Sequence, residues 1–472
     1  MSLEEEEKLS EPVAYDDLLE ERNDELMELL ENKNTKQLRE RLNEMNEFDA
    51  AEFLSSIGDN RMPMLFRLLS KERAAEVFAN LDTPDQARII NSVTDAELAG
   101  IIEELYVDDA VDMMEELPAN VVHRVMRTAT PETRELINQY LHYPENSAGS
   151  IMTAEFVDLK KYMSVKESFA RIRRIGEDKE TIYTCFVTSA DRRLEGIVTV
   201  KDLLLADPDT IIEDLMDRNV IYAVTTEDQE SVSAKIADYD LMALPVVDKE
   251  NRLVGIVTVD DIIDVMEQET TEDIQLMAGM TPSDKPYLRT RITEMWRNRV
   301  PWLLFLMLSA TFTSMILTKF EGMLAVQAVL VAFIPMLMGT GGNSGAQAST
   351  AVIRSLSLGE VEPRDVLRVM WKEWRVAFLC GLTLSIVNFG KMLLVDGMLL
   401  GNANVTVPVA ATVSLSILFI VMFAKVVGSF LPIAAEKIGV DPAVMANPLI
   451  STLTDAVSLL IYIYVAKLIL RI

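Results

Sequence analysis

Hydrophobic and polar positions follow two regimes along this chain. Up to about residue 290, apolar residues recur every three or four positions, or alternate in short runs, among many charges; beyond it they merge into long blocks. In 36–147 the first regime gives short amphipathic helices separated by turns: Ala50-Ala-Glu-Phe-Leu, Ser70-Lys-Glu-Arg-Ala-Ala-Glu-Val-Phe, Thr83-Pro-Asp-Gln-Ala-Arg-Ile-Ile and Asp108-Asp-Ala-Val-Asp-Met-Met. Ser70 supplies a side-chain oxygen for free backbone N–H groups at a helix start, and Thr83 precedes a proline suited to the first turn. Stacked units of this kind predict an α-solenoid. Residues 1–35 are acidic, with a leucine-rich stretch near Leu26 to Leu30, and predict a frayed helix.

Between 148 and 266 the pattern changes and duplicates. Leu194-Glu-Gly-Ile-Val-Thr-Val-Lys-Asp-Leu-Leu returns as Leu253-Val-Gly-Ile-Val-Thr-Val-Asp-Asp-Ile-Ile, so Gly196 and Gly255 lie 59 residues apart. Each copy reads as an extended segment, a turn, a β-branched strand and a helix opening near the Asp. The doubled motif resembles a tandem pair of cystathionine-β-synthase (CBS) domains, with boundaries at 148–206 and 207–266. That resemblance implies a regulatory module of the kind that often binds adenosine nucleotides such as ATP. Thr199, Asp202, Thr258 and Asp261 occupy the positions that would hold ribose or phosphate; other such pairs bind no nucleotide.

A polar helix from Asp264 to Met277 follows, ending at Pro282, and a second helical stretch, Tyr287 to Arg299, leads to the apolar blocks. We assign 267–296 to a connecting helix and 297–472 to a membrane domain of five spans: 300–318, 323–353, 374–400, 404–435 and 443–470. Each is near or above the ~20 residues a bilayer requires. The third is interrupted by Lys391 and Asp396. Arg residues before the first span, and Arg354, Arg364, Arg368, Lys372 and Arg375 after the second, put those loops in the cytoplasm, with the C-terminus outside.

Charge sharpens the division. The 472 residues carry a net charge of −30; from Arg291 onward there are 14 basic against 10 acidic residues, leaving 30 against 64 upstream. The acidic part repels nucleic acid and anionic lipid and attracts cations. Cys185 and Cys380 give no disulfide framework, and with only His123 and His142, zinc and histidine chemistry have no foundation. The start, Met-Ser-Leu-Glu-Glu-Glu-Glu-Lys, lacks the basic end and apolar core of a signal peptide, so the acidic part is expected in the cytosol. No catalytic constellation appears, and an enzyme is not expected.

Two features lie inside the spans. Pro335-Met-Leu-Met-Gly-Thr-Gly-Gly-Asn-Ser-Gly-Ala-Gln in the second would either loosen the helix and expose carbonyls to a water-filled cavity, or permit close small-residue packing through Gly341-x-x-x-Gly345. Asn447-Pro-Leu-Ile-Ser-Thr-Leu-Thr-Asp455 opens the fifth. A carboxylate at that depth is costly unless it meets an ion, water or a partner, and Lys425 and Lys467 are the alternative partners.

With the CBS pair and the acidic helical domain, these two segments resemble the MgtE family of magnesium channels over nearly the whole chain, in the same order. The resemblance implies a multidomain homodimer: a cytosolic all-α superhelical N-domain, an α/β tandem CBS pair, a connecting "plug" helix and a five-helix transmembrane domain in the cell membrane. It further implies Mg2+ uptake through a two-fold pore, with Asp455 and Asn447 along the path. Cytosolic Mg2+ would bind regulatory acids and close the pore; these would be Glu76 and Asp108 in the N-domain, Asp228, Asp240 and Asp261 in the CBS pair, Glu269, Glu272 and Asp273 on the plug helix, and Asp441 before span five. Mg2+ prefers octahedral oxygen ligands and keeps its waters, which suits a few carboxylates around a hydrated ion. The alternative is a secondary transporter of Mg2+ or another divalent cation such as Co2+, with Asp455 as its coupling site.

Overall fold

The computed structural model describes residues 15–471 except 59, 60, 284, 286, 289, 323–326, 403 and 446. The chain divides into two compact units, with the boundary after Val265.

The first unit opens with ten helices between Tyr15 and Tyr140 among the described residues. The first is Tyr15–Glu31, with Leu26 fully buried; residues 1–14 of the acidic segment lie outside the described residues. The others are at most 10 residues long, too short to be stable alone. Each stays folded by burying one apolar stripe against its neighbours, as Val77 and Phe78, Ile89 and Ile90, and Leu98 and Ile102 do. Local signals hold the ends: Thr94 and Glu97 form a reciprocal capping box, and Thr130 caps the helix Pro131–Tyr140.

The duplicated segment folds into two equivalent three-stranded sheets. In the first, β1 (Asp158–Leu159) runs parallel to β2 (Thr184–Thr188), which pairs antiparallel with β3 (Leu194–Thr199); in the second, β4 (Ala223–Val224), β5 (Ala243–Val247) and β6 (Leu253–Thr258) repeat the order. The repeated glycine has a steric cause. A methyl group on Gly196 would stand 2.9 Å from the Asp217 carbonyl oxygen, and one on Gly255 2.8 Å from that of Thr153. Ile197 and Ile256, the residues after these glycines, bridge to Asp217 and Thr153 of the crossing segments.

The second unit holds five helices long and apolar enough to cross a membrane: Ile292–Lys319, Ala328–Ser357, Pro363–Leu399, Val407–Lys437 and Pro442–Leu470. We call them spans one to five. Span one absorbs the second part of the basic stretch expected as a separate helix over Tyr287 to Arg299, since its helix starts only at Ile292, and Pro301 sits inside it without ending it. Span three starts about ten residues earlier than expected and finishes in a π-helical stretch, Met392–Leu399, where Lys391 pairs with Asp396 at 2.8 Å. That pair removes the interruption the two charges had signalled. Spans two, four and five form the packed centre around Leu337, Val413, Ile420, Tyr462 and Ile463, whereas span one has no buried residue in the single chain.

Candidate functional site

The glycine-rich segment of span two does not loosen its helix. Ile334–Ser357 is continuous, and its glycines serve close packing. A methyl group on Gly341 would come within 2.7 Å of Ser458 Oγ; on Gly345, within 2.6 Å of Ile450 Cγ2 and 3.2 Å of the Ala424 carbonyl oxygen. Gly428 of span four lies against the Gly345 backbone so closely that a methyl group would overlap its carbonyl oxygen. Three helices therefore meet at Gly345, and the span-five residues in that contact are Ile450 and Thr454.

Asp455 follows Thr454 directly and stands one turn beyond Ser451, which lies against Gly342. It is partly exposed, and among the described residues nothing pairs with it. Lys467, one alternative partner, lies over the Phe320 ring at 5.3 Å, and Lys425 makes no ion pair with Asp455. Pro335, Gly339, Asn343 and Gln347, at four-residue spacing, form an exposed stripe on span two. Amide side chains on a membrane-spanning surface must meet protein or water, since lipid offers no hydrogen bonds. The four-residue interval is the signal that identifies Asn343 and Gln347.

Asn447 is the first residue of the α-helix Asn447–Leu470; its side chain lies outside the described residues. Pro448 next to it touches the end of the connecting helix. That helix runs Val259–Met277, and Gly279 beyond it has φ +70, where any side chain is strained. A Cβ there would strike the Trp302 indole of span one and stand 3.1 Å from Pro448 Cγ. Leu276 and Met277 pack with Ile353 and Ala443. Ser357 Oγ lies 3.4 Å from Asp273 Oδ2, while Asp441 accepts from the Ala443 N–H. Burial pushes the Asp273 carboxyl up, and the Asp441 charge pushes it further.

The first unit contains a second, denser group of acids. Asp108 and Asp109 sit in the first turn of the helix Val107–Glu116, Asp260 and Asp261 in the first turn of Val259–Met277, and Glu155 and Glu180 flank β1 and β2. Asp108 Oδ1 and Glu180 Oε2 are cut off from solvent with no hydrogen-bond partner. Burial raises Asp108 well above the ordinary carboxylate range, with Asp109, Asp261, Glu180 and Glu155 adding repulsion. Asp109 is pushed to about 6 and Glu180 to about 7 by burial first and Asp261 next. Tyr106 rises to about 12, through burial first and the Glu180 charge next. Among the described residues no three acidic, histidine or cysteine side chains stand close enough to ligate a bare ion. Carboxylates near one another but not converging suit a cation that keeps its water shell.

Comparison with known proteins agrees with this division. A divalent cation transporter family matches residues 334–465, its intracellular N domain matches 45–146, and CBS domains match 148–209 and 212–268. The magnesium transporter MgtE of Thermus thermophilus is 39% identical over 450 residues, 94% of this chain and 98% of the relative. The chain belongs to the MgtE family. Among solved structures, the soluble part of a magnesium transporter is 31% identical and covers 53% of this chain and 99% of that one, with a TM-score of 0.51. The cytosolic domain of the Mg2+ channel MgtE in complex with ATP is 38% identical, covering 51% and 98%, with a TM-score of 0.49. Like its family, the chain is a multi-pass membrane transporter with cytosolic N-terminal and CBS domains, and not an enzyme.

The remaining acids expected from the MgtE resemblance stand apart from these groups. Glu76 is exposed and paired with Arg73 at 2.5 Å, a residue that also holds Glu47. Asp228 caps the helix Gln229–Asp238, accepting from the Glu230 N–H at 2.9 Å, and Asp240 is an exposed turn residue with φ +51. Glu269, Glu272 and Asp273 share the connecting helix and are each partly buried. In both repeats the Thr-x-x-Asp pair is engaged with itself: Thr199 and Asp202 cap one helix reciprocally, and Thr258 Oγ1 donates to Asp261 Oδ2. Acids around Asp261, Asp260 and Asp264 among them, would repel a polyphosphate. Glu155, Glu180 and Asp109 were not legible beforehand, because they come from separate segments with no shared spacing.

Proposed function

We propose that this chain forms a homodimeric Mg2+ channel that admits the ion to the cytosol and closes when cytosolic Mg2+ is high. The observation that carries the reading is Asp455: a carboxylate within span five, unpaired among the described residues, beside the glycine-lined junction of spans two, four and five. A lone chain would leave it and the Asn343–Gln347 stripe against lipid, at a cost of ~2.5–3.5 kcal/mol for the charge. A second copy across a two-fold axis removes that cost by enclosing water. Two Asp455 side chains then favour a hydrated divalent ion over Na+ or K+ and repel anions, with Asn447 nearer the cytosol. N-terminus inside and C-terminus outside follow from the basic loops.

Closure follows from the acids. The Asp108–Glu180–Asp261 group holds buried carboxylate oxygens with no donor, which fits a hydrated cation. Mg2+ there neutralises repulsion across the first unit, while Asp273 with Asp441 does the same at the end of the connecting helix, aided by Glu269 and Glu272. Glu76, Asp228 and Asp240 are the remaining regulatory positions, available to a cation once a second copy adds its own acids. An adenosine nucleotide such as ATP fits Thr199 and Asp202 better than Thr258 and Asp261. Flux into proteoliposomes tests the pore: Asp455→Ala is expected to abolish Mg2+ uptake with dimerisation intact, and normal uptake by that variant overturns the reading.

A further inference from the structure

Lys425 belongs to neither the acid groups nor the glycine contacts, and its position is costly. It lies within span four, 6% exposed, with no ion pair or hydrogen bond among the described residues. Twelve residues, or ~18 Å of helix, separate it from Lys437 at the end of the span, farther than its own side chain can extend to reach water. The neighbouring Ala424 carbonyl and Gly428 press on Gly345, the glycine that also touches Thr454, the residue before Asp455. Lys425 follows Ala424, and Asp455 follows Thr454, so two charged residues adjoin the same three-helix contact, and among the described residues no ion pair joins them. An apolar residue would pack there without the cost of desolvating a charge.

We infer that Lys425 is a resident counter-charge of the ion path, set there to weaken its hold on a divalent cation. This rests on Asp455 being the pore carboxylate. Two carboxylates facing each other in a low dielectric bind a doubly charged ion tightly, and a path that binds too tightly does not conduct. A fixed positive charge on each subunit offsets that attraction, and acts twice as strongly on a divalent ion as on a monovalent one. Lys425 is accordingly a positioning residue for charge, acting on the ion across water.

The test is Mg2+ uptake into proteoliposomes by wild type, Lys425→Gln, Lys425→Met and Asp455→Ala, with folding followed by thermal melting in detergent. Both Lys425 variants are expected to lower the half-saturating Mg2+ concentration by about tenfold and to reduce the maximal rate. A merely structural lysine would lower the rate or the melting temperature and leave half-saturation unmoved, and that result in either folded variant overturns the inference. The double variant Asp455→Ala with Lys425→Gln is expected to be as inactive as Asp455→Ala. Uptake retained by Asp455→Ala would instead overturn the pore reading itself, so the two failures are distinct.

Discussion

Glu180 and Asp109 show how a single carboxylate reports on its surroundings. Their pKa values, about 7 and about 6, exceed the unfolded values because burial and Asp261 disfavour the charged form. A group whose pKa rises on folding binds its proton more tightly when folded. Its contribution to stability is therefore complete below about pH 4 and is lost as pH rises through 6 to 7. Thermal unfolding of the protein in detergent is expected to show that decline, worth at most about 3 kcal/mol for each group before solvent screening, and Glu180→Gln should remove the Glu180 part of it. Cations replace protons in the same place, so stabilisation by Mg2+ should be greatest above pH 7 and small below pH 6. A Mg2+ effect equal at pH 5 and pH 8 would separate the cation from these acids.

At the scale of elements, the membrane helices were legible and their contacts were not. Long apolar blocks announce a span whatever it packs against, which is why all five appear near their expected places. Their ends were misread where charge and apolar surface overlap. Span three begins at Pro363 and carries Trp371, Lys372 and Trp374 within it, whose exposed face a hydropathy argument discounts, and span one takes in Arg297 and Arg299. The two Gly-Ile-Val-Thr-Val-x-Asp copies were readable because a crossing segment leaves no room for a side chain, a constraint that repeats with the fold. The glycine run in span two had two readings, since small residues serve an open path and a close contact alike; Gly428 of span four, distant in sequence, decides for contact. Gly428→Ala is expected to destabilise the membrane unit by about 1–3 kcal/mol by pushing against the Gly345 backbone. Gly390→Ala, with nothing within 4 Å of its added methyl, should leave the melting temperature unchanged. Equal melting of the two variants would contradict the packing.

For the whole molecule, the decisive quantity is the imbalance of charge between a strongly acidic cytosolic part and a nearly neutral membrane part. Net charge of one sign opposes compaction, and a ligand shifts a conformational balance only by the difference in its affinity for the two states. Mg2+ has that difference if the compact state gathers carboxylates that the open state leaves in water. Asp273 carries such a sign next to the membrane spans: its carboxyl is raised by burial and by Asp441, on an element whose end rests against Trp302 of span one and Pro448 at the start of span five. Cation binding at that point would hold the connecting helix against the mouth of the ion path. Limited proteolysis of the intact protein measures it directly. Millimolar Mg2+ is expected to slow cleavage in the 278–291 segment relative to Na+ at equal ionic strength, which removes general screening as the cause. Replacing Glu269, Glu272 and Asp273 by Gln, Gln and Asn should shift the protecting Mg2+ concentration upward by about tenfold or more, for the loss of about 1.4 kcal/mol of binding. Cleavage that is the same in both salts, or protection unchanged in the triple variant, would detach the connecting helix from cation sensing while leaving Asp455 its role in the path.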